Sequence, residues 1–209
     1  MAANRPSSLH PIPDYLSHYY ERSAGPLKNI CDLSDADIAR IREHELSQNI
    51  EFSRFRIWPR FMESRRAADD LLMDLYQMKF RKRPAFRPVY AVLGDFHKIP
   101  GLFADPGRIR VEIADLVPED VTFMYPDHAH LIQYFDHDSP PFGAALPEDY
   151  CKDKMPYYGK LFTYEELKSK HVEYGISSRI EQYLDAPENF VYSYVEAHIW
   201  RRDIRFTQC

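Results

Sequence analysis

The chain is expected to fold as a single α+β domain with an antiparallel or mixed sheet and about three helices. Three observations carry that expectation. Helix-period segments come first and strand-period segments follow, with one late helix. The strand-like runs lack the repeating βαβ order of a parallel sheet. No repeat or low-complexity tract interrupts the 209 residues, a length suited to one domain.

Residues 1–13 have little to bury and read as a mobile tail ahead of a globular unit over 14–209. Residues 15–20 form an aromatic segment suited to a first strand or an extended arm, and Gly25-Pro26 marks the turn after it. Ser34 is placed to cap a helix over 35–47. Asp35 and Asp37 sit at its positive end, and Ile38, Ile41 and Leu46 form its buried stripe. Pro59 fits the first turn of a longer helix over 59–80, whose stripe includes Met62, Ala68, Leu72, Leu75 and Tyr76. Pro84 and Pro88 bar its continuation.

Residues 89–93, 108–113 and 121–125 read as strands. In the second, Ile109, Val111 and Ile113 share a face. Residues 136–156 read as a long loop and 160–162 as a short strand. Thr163 and Glu166 have capping-box spacing at the head of a helix over 164–173, and Gly175 fits as its terminator. A short polar stretch leads to the last strand, 190–200. One set of its alternate positions is small or aliphatic. The other carries Tyr192, Tyr194, Glu196, His198 and Trp200.

With 44% hydrophobic and 28% charged residues, the composition is globular rather than disordered. Sixteen Pro against 7 Gly argue for ordered connections rather than flexible linkers. The 3 cysteines, Cys31, Cys151 and Cys209, are odd in number and lack metal spacing, so no disulfide framework is expected and a reducing, cytoplasmic setting is. No apolar run approaches the roughly 18 residues of a spanning helix, and the first residues lack a signal-peptide centre, so no membrane partner is expected.

Net charge is −5, unevenly spread: residues 54–87 hold ten Lys/Arg against four Asp/Glu, and 111–150 hold nine Asp/Glu without a Lys or Arg. The plain reading is two solvated or mutually attracting regions. The sharper one is a cationic surface for an anionic ligand. The acidic total speaks against a dedicated nucleic-acid binder. GxxxxGK[ST], GxGxxG and GxSxG motifs are missing, which disfavours P-loop, Rossmann and α/β-hydrolase chemistry.

Four clusters hold chemistry-bearing residues. In the last strand, Glu196 and His198 lie two residues, roughly 7 Å, apart on one face with Tyr194 and Trp200. A carboxylate in an aromatic row is expected to have a raised pKa and to serve as acid, base or ligand anchor. The plain alternative is a helix-covered face with polar cross-strand partners. The second cluster is Ser17 to Glu21, where His18 and Tyr19 are able to meet a ligand. The third is Asp127-His128-Ala129-His130 with Asp136-His137-Asp138: carboxylates and imidazoles suit zinc, manganese or iron, although no HExxH pattern accompanies them. Acidic, His-containing loops are also commonly just solvated. The fourth is Arg81-Lys82-Arg83 with Phe80, Phe86 and Arg87, suited to a phosphate and a stacked base, or simply to a helix C-terminus.

The segments 15–21, Gly25-Pro26-Leu27, 90–94, 121–127, 158–163 and 194–200 together resemble a family of small, mostly bacterial proteins of unknown function, over roughly residues 15–206. A further resemblance is to ADP-ribosyltransferases of the His-Tyr-Glu type, in which His, Tyr and Glu occur in the order of His18, Tyr90 and Glu196. That resemblance implies a catalytic carboxylate at Glu196, with His18 and Tyr90 holding NAD as substrate. The aromatic strand faces add Tyr194, His198, Tyr19 and Trp200 as expected ligand-binding residues.

The leading expectation is a small enzyme that binds a nucleotide-like ligand and transfers an ADP-ribosyl or related group. The alternatives are a non-catalytic interaction module docking a peptide or protein on its aromatic face, and a metal-dependent hydrolase built on Asp127, His128 and His130.

Overall fold

The computed structural model describes residues 12–48, 54–57, 59–128, 156–185 and 194–209. His130, the Asp136–His137–Asp138 run, Cys151, most of the expected 136–156 loop and the first residues of the last strand lie outside them.

Six strands form one sheet among the described residues: β1 (Tyr15–Glu21), β2 (Val89–Leu93), β3 (Pro106–Glu112), β4 (Val121–Met124), β5 (Glu196–Ile199) and β6 (Thr207–Gln208). Their order is β4-β5-β2-β1-β3-β6, and every strand pair is antiparallel. Four α-helices accompany the sheet among the described residues: α1 (Asp35–Ser47), α2 (Arg60–Phe80), α3 (Tyr164–Lys170) and α4 (Ile176–Asp185). The architecture is α+β, as the segment order predicts. No helix of the described residues is long and apolar enough to cross a membrane.

The local signals behave as their chemistry requires. The Ser34 hydroxyl accepts from the Asp37 amide at 3.1 Å and opens α1. Thr163 and Glu166 form a reciprocal capping box at the head of α3. Arg81 ends α2 in a left-handed conformation, φ 58°, so the basic stretch starts at the helix C-terminus. Phe162 makes a single bridge with Phe123, the remnant of the short strand expected over 160–162.

Several expectations need correction. Ile12 is buried in the core and the Pro13 carbonyl accepts from the Tyr164 hydroxyl, so the ordered unit starts before residue 14. Ile113 falls in a 3-10 turn rather than a strand. α3 stops at Lys170. The polar stretch after Gly175 is a fourth helix: Ile176, Ile180 and Leu184 recur every four residues and pack on the core. Gly175, at φ 66°, separates two helices instead of closing the helical region.

Register decides which residues meet. Tyr90 and Thr122 both pair with His198, Val92 and Met124 with Glu196, and Ser17 with Val92. Opposite residues in an antiparallel pair share a face, so Tyr90, Thr122, Met124, Glu196, His198, Ser17 and Tyr19 project to one side. α2 covers the β4-β5-β2 half of that side through Leu72 and Tyr76, which pack on Met124 and Trp200. The other side carries Phe123, Ala197, Ile199, Ala91 and Ile109, in one core cluster with Leu167, Ile176 and Ile180 from α3 and α4. α1 is held to α2 by a smaller cluster of Ile38, Ile41, Phe55, Phe61 and Met62. Gly107 is required where it sits: a Cβ there would lie 2.5 Å from the Tyr20 ring.

Candidate functional site

A chain of buried polar groups runs between α2 and the β4-β5-β2 half of the sheet. At its centre is Glu196. Both Glu196 and His198 are 0% exposed, between the sheet and the elements packed on this face. After β4, the chain turns through Tyr125-Pro126 and brings Asp127 and His128 back over β5. His128 Nδ1 lies 2.6 Å from Glu196 Oε2, and His198 Nε2 lies 2.7 Å from Glu196 Oε1. The Tyr194 hydroxyl approaches Oε2 at 3.5 Å.

Hydrogen-bond logic assigns the protons. Arg65 Nη1 is 3.2 Å from His128 Nε2. A guanidinium only donates, so Nε2 must offer a lone pair, and the ring proton sits on Nδ1 and points at Glu196. On the other side, the Trp200 indole donates to Thr122 Oγ1 at 2.9 Å. The Thr122 hydroxyl is then free to donate to His198 Nδ1 at 3.3 Å, and His198 donates through Nε2 to Glu196. Two imidazoles therefore direct ring N–H groups at one ionised carboxylate, His128 through Nδ1 and His198 through Nε2.

This overturns the expectation of a raised pKa. Burial alone would raise Glu196, but the contacts with His128 and His198 outweigh it and hold the carboxyl well below the usual carboxylate range. Its neighbours Tyr90 and Tyr194 are pushed well above the ordinary phenol value, first by burial and then by nearby charges.

α2 supplies the other half of the site. Arg65 lies flat on Tyr90, Cζ 3.3 Å from the ring centroid. The Tyr90 hydroxyl donates to Asp69 Oδ1 at 2.6 Å, and Asn29 Nδ2 donates to Asp69 Oδ2 at 2.9 Å. Arg87 Nη1 stands 3.5 Å from the same carboxylate, so this member of the basic stretch is turned toward the protein. The Tyr90 ring also touches His128, at 4.6 Å, and His198, at 5.6 Å edge-on. His128 and Arg65 are partly exposed, with side chains 16% and 15% accessible.

The residues singled out in the sequence are distributed unevenly over this arrangement. Glu196, His198, Tyr90, Tyr194 and Trp200 belong to it, and so do Asp127 and His128. His18 does not project into it. Strand alternation sends its ring to the opposite face from Ser17 and Tyr90. There Nδ1 meets the Tyr90 carbonyl at 2.8 Å and Nε2 accepts the Leu27 amide at 3.2 Å. Burial pushes this imidazole down to about 4, against the Tyr90 hydrogen bond. Tyr19 lies farther along the shared face, where its hydroxyl, with those of Tyr15 and Ser17, donates to Asp95. Tyr19 and Asp95 line an open cleft of about 500 Å³ with Arg108, His97 and Cys209.

Arg65, Asp69, Asn29 and Thr122 were not singled out. A signal for two of them exists: Met62, Arg65, Asp69, Leu72 and Tyr76 are spaced 3-4-3-4 along one helix face, so an opposite-charge pair interrupts an apolar stripe.

The ligand atoms of Asp127, His128 and Glu196 lie within 4.8 Å of one another, a set chemically able to take a divalent metal. Metal at His128 Nδ1 would leave the proton on Nε2, facing an Arg65 N–H. Loading therefore requires Arg65 to move. No family model, curated protein or solved structure matches this chain.

Proposed function

We propose that the chain is a small enzyme in which His128 transfers a proton during group transfer on a nucleotide-like ligand, with Glu196 as its positioning residue. The observation that carries this reading is the pair itself. A buried, ionised carboxylate fixes the His128 tautomer through Nδ1 and leaves Nε2, the basic nitrogen, turned toward Arg65 on a side chain that is 16% exposed. A carboxylate so placed stabilises the imidazolium that forms when Nε2 takes a proton. Tyr90 and Tyr194 supply aromatic surface beside it. A cytoplasmic setting belongs to the same proposal.

ADP-ribosyl transfer from NAD is the narrower form of this reading. In that chemistry a carboxylate faces the ribose. Glu196 is fully buried with both oxygens taken, so the reacting role is given to His128 instead. His18, with both ring nitrogens committed to backbone groups, stands outside the proposal.

The test is a thermal-shift screen with NAD, ADP-ribose and nucleoside diphosphates, followed by chromatography of the products. A ligand of the native state raises the melting temperature, by about 2.7 kcal/mol of stability at 100 times Kd. His128→Gln is expected to keep the fold and the ligand shift but lose turnover by about 100-fold or more. Undiminished turnover in that variant, or no nucleotide response at millimolar concentration, contradicts the reading.

A second reading rests on the clustering of Asp127, His128 and Glu196. In a metal-dependent hydrolase these residues would hold a divalent ion. Elemental analysis after incubation with zinc or manganese decides it: one equivalent bound, lost in His128→Gln, supports a metal centre, and none above background removes it.

A further inference from the structure

Arg65 is incompletely satisfied among the described residues. Its Nε is buried without a hydrogen-bond acceptor, 3.9 Å from Asp69 Oδ1. Nη1 reaches only the single lone pair of His128 Nε2. Asp69, the carboxylate behind it, is occupied by Tyr90, Asn29 and Arg87. The guanidinium plane is nevertheless fixed, since it lies on the Tyr90 ring at 3.3 Å. A guanidinium carries five donors in a rigid fork that matches two oxygens of one oxyanion. Here such a fork is pre-oriented, partly exposed and short of acceptors.

We propose that Arg65 is the docking point for a phosphoryl oxyanion of the ligand, and that capture of the oxyanion draws Nη1 away from His128 Nε2. The inference rests on the reading of His128 as the proton-transferring group and adds the order of events. Without ligand, the Arg65 donor caps the basic nitrogen. With a phosphate on the fork, Nε2 gains a free lone pair beside the bound ligand. Proton transfer thus becomes available only when a phosphate-bearing molecule is in place, and solvent reaction is suppressed otherwise. Tyr90 and Asp69 act as positioning residues for the fork.

The experiment uses the full chain, labelled with ¹⁵N in its histidines, titrated at fixed ionic strength with inorganic pyrophosphate, ADP and adenosine. Pyrophosphate and ADP are expected to bind and to shift the His128 Nε2 resonance toward that of an uncapped nitrogen, while the His18 signals stay still. Adenosine, lacking phosphate, is expected to bind at least 10-fold more weakly than ADP. Arg65→Gln is expected to lose at least 10-fold of ADP affinity and to show the uncapped His128 signal without ligand. Arg65→Lys, which keeps the charge and loses the fork, covers the case in which the glutamine variant fails to fold and is expected to weaken ADP likewise.

ADP affinity unchanged in a folded Arg65 variant overturns the docking role. ADP binding that leaves the His128 Nε2 resonance unmoved overturns the uncapping. Either result leaves the role of His128 standing, because that role is read separately from turnover in His128→Gln.

Discussion

His18 and His128 are both enclosed imidazoles bonded through both nitrogens, yet their surroundings differ in kind. His18 is held by backbone groups, the Tyr90 carbonyl and the Leu27 amide, which the fold does not release. His128 is held by side chains, the Glu196 carboxylate and the Arg65 guanidinium, whose contacts are not part of the backbone ladder. The first arrangement joins β1 to β2 and to the turn that follows β1. The second stores one negative charge in the fold beside a cation that is short of acceptors. The lesson is that a histidine's partners, more than its burial, separate a structural imidazole from a reactive one.

The strongest way to break this comparison is at Glu196. Glu196→Ala orphans the ring donors of His128 and His198 and is expected to cost about 4 kcal/mol, read as a fall in the urea midpoint. A loss under about 1 kcal/mol would mean that the two donors find other partners and that the carboxylate does not organise the site.

The next effect is pH dependence. His18 titrates at about 4 in the folded chain against 6.5 for the free side chain. The stability contributed by its neutral ring is full above pH 6.5 and is lost as pH falls to about 4, because the unfolded chain takes up a proton that the folded ring refuses. The size is about 3 kcal/mol. Glu196, whose pKa is depressed, loses its contribution at lower pH, below the 4.5 of a free glutamate. His18→Leu is expected to cost about 2 kcal/mol at neutral pH by orphaning two backbone groups. It should also abolish the decline between pH 6.5 and 4 and leave the nucleotide response unchanged. A nucleotide response that disappears in a folded His18→Leu would return His18 to the site.

The smallest effect concerns the far end of the chain of hydrogen bonds. Trp200→Phe removes the donor to Thr122 and is expected to cost about 1 kcal/mol without altering the His128 signals. A change at His128 would show that the two imidazoles communicate through Glu196.

Much of the fold was legible because its signals are local. Ser34, Thr163 and Glu166 announce their helices by capping chemistry, and period-two runs announce β2, β3 and β4. The fourth helix escaped because Gly175 suits a final terminator as well as a break between two helices. Only the i, i+4, i+8 recurrence of Ile176, Ile180 and Leu184 distinguishes the cases. The site was legible as parts. Glu196 and the Asp127–His128 pair were both marked, but under different chemistries. Their union depends on β4 pairing with β5 in the register that sets Met124 opposite Glu196, a long-range fact that no local pattern encodes. Arg65 and Asp69 sit inside the apolar stripe of α2, and an isolated charged pair at helical spacing does not by itself distinguish a buried site from a solvated face.

The most direct measurement of the central claim is the histidine tautomer pattern, read from long-range ¹H–¹⁵N imidazole spectra of the ligand-free protein at neutral pH. The account predicts opposite tautomers on the two sides of Glu196, with His128 protonated on Nδ1 and His198 on Nε2. His128 protonated on Nε2, or His198 directing a bare Nε2 at the carboxyl group, would contradict it.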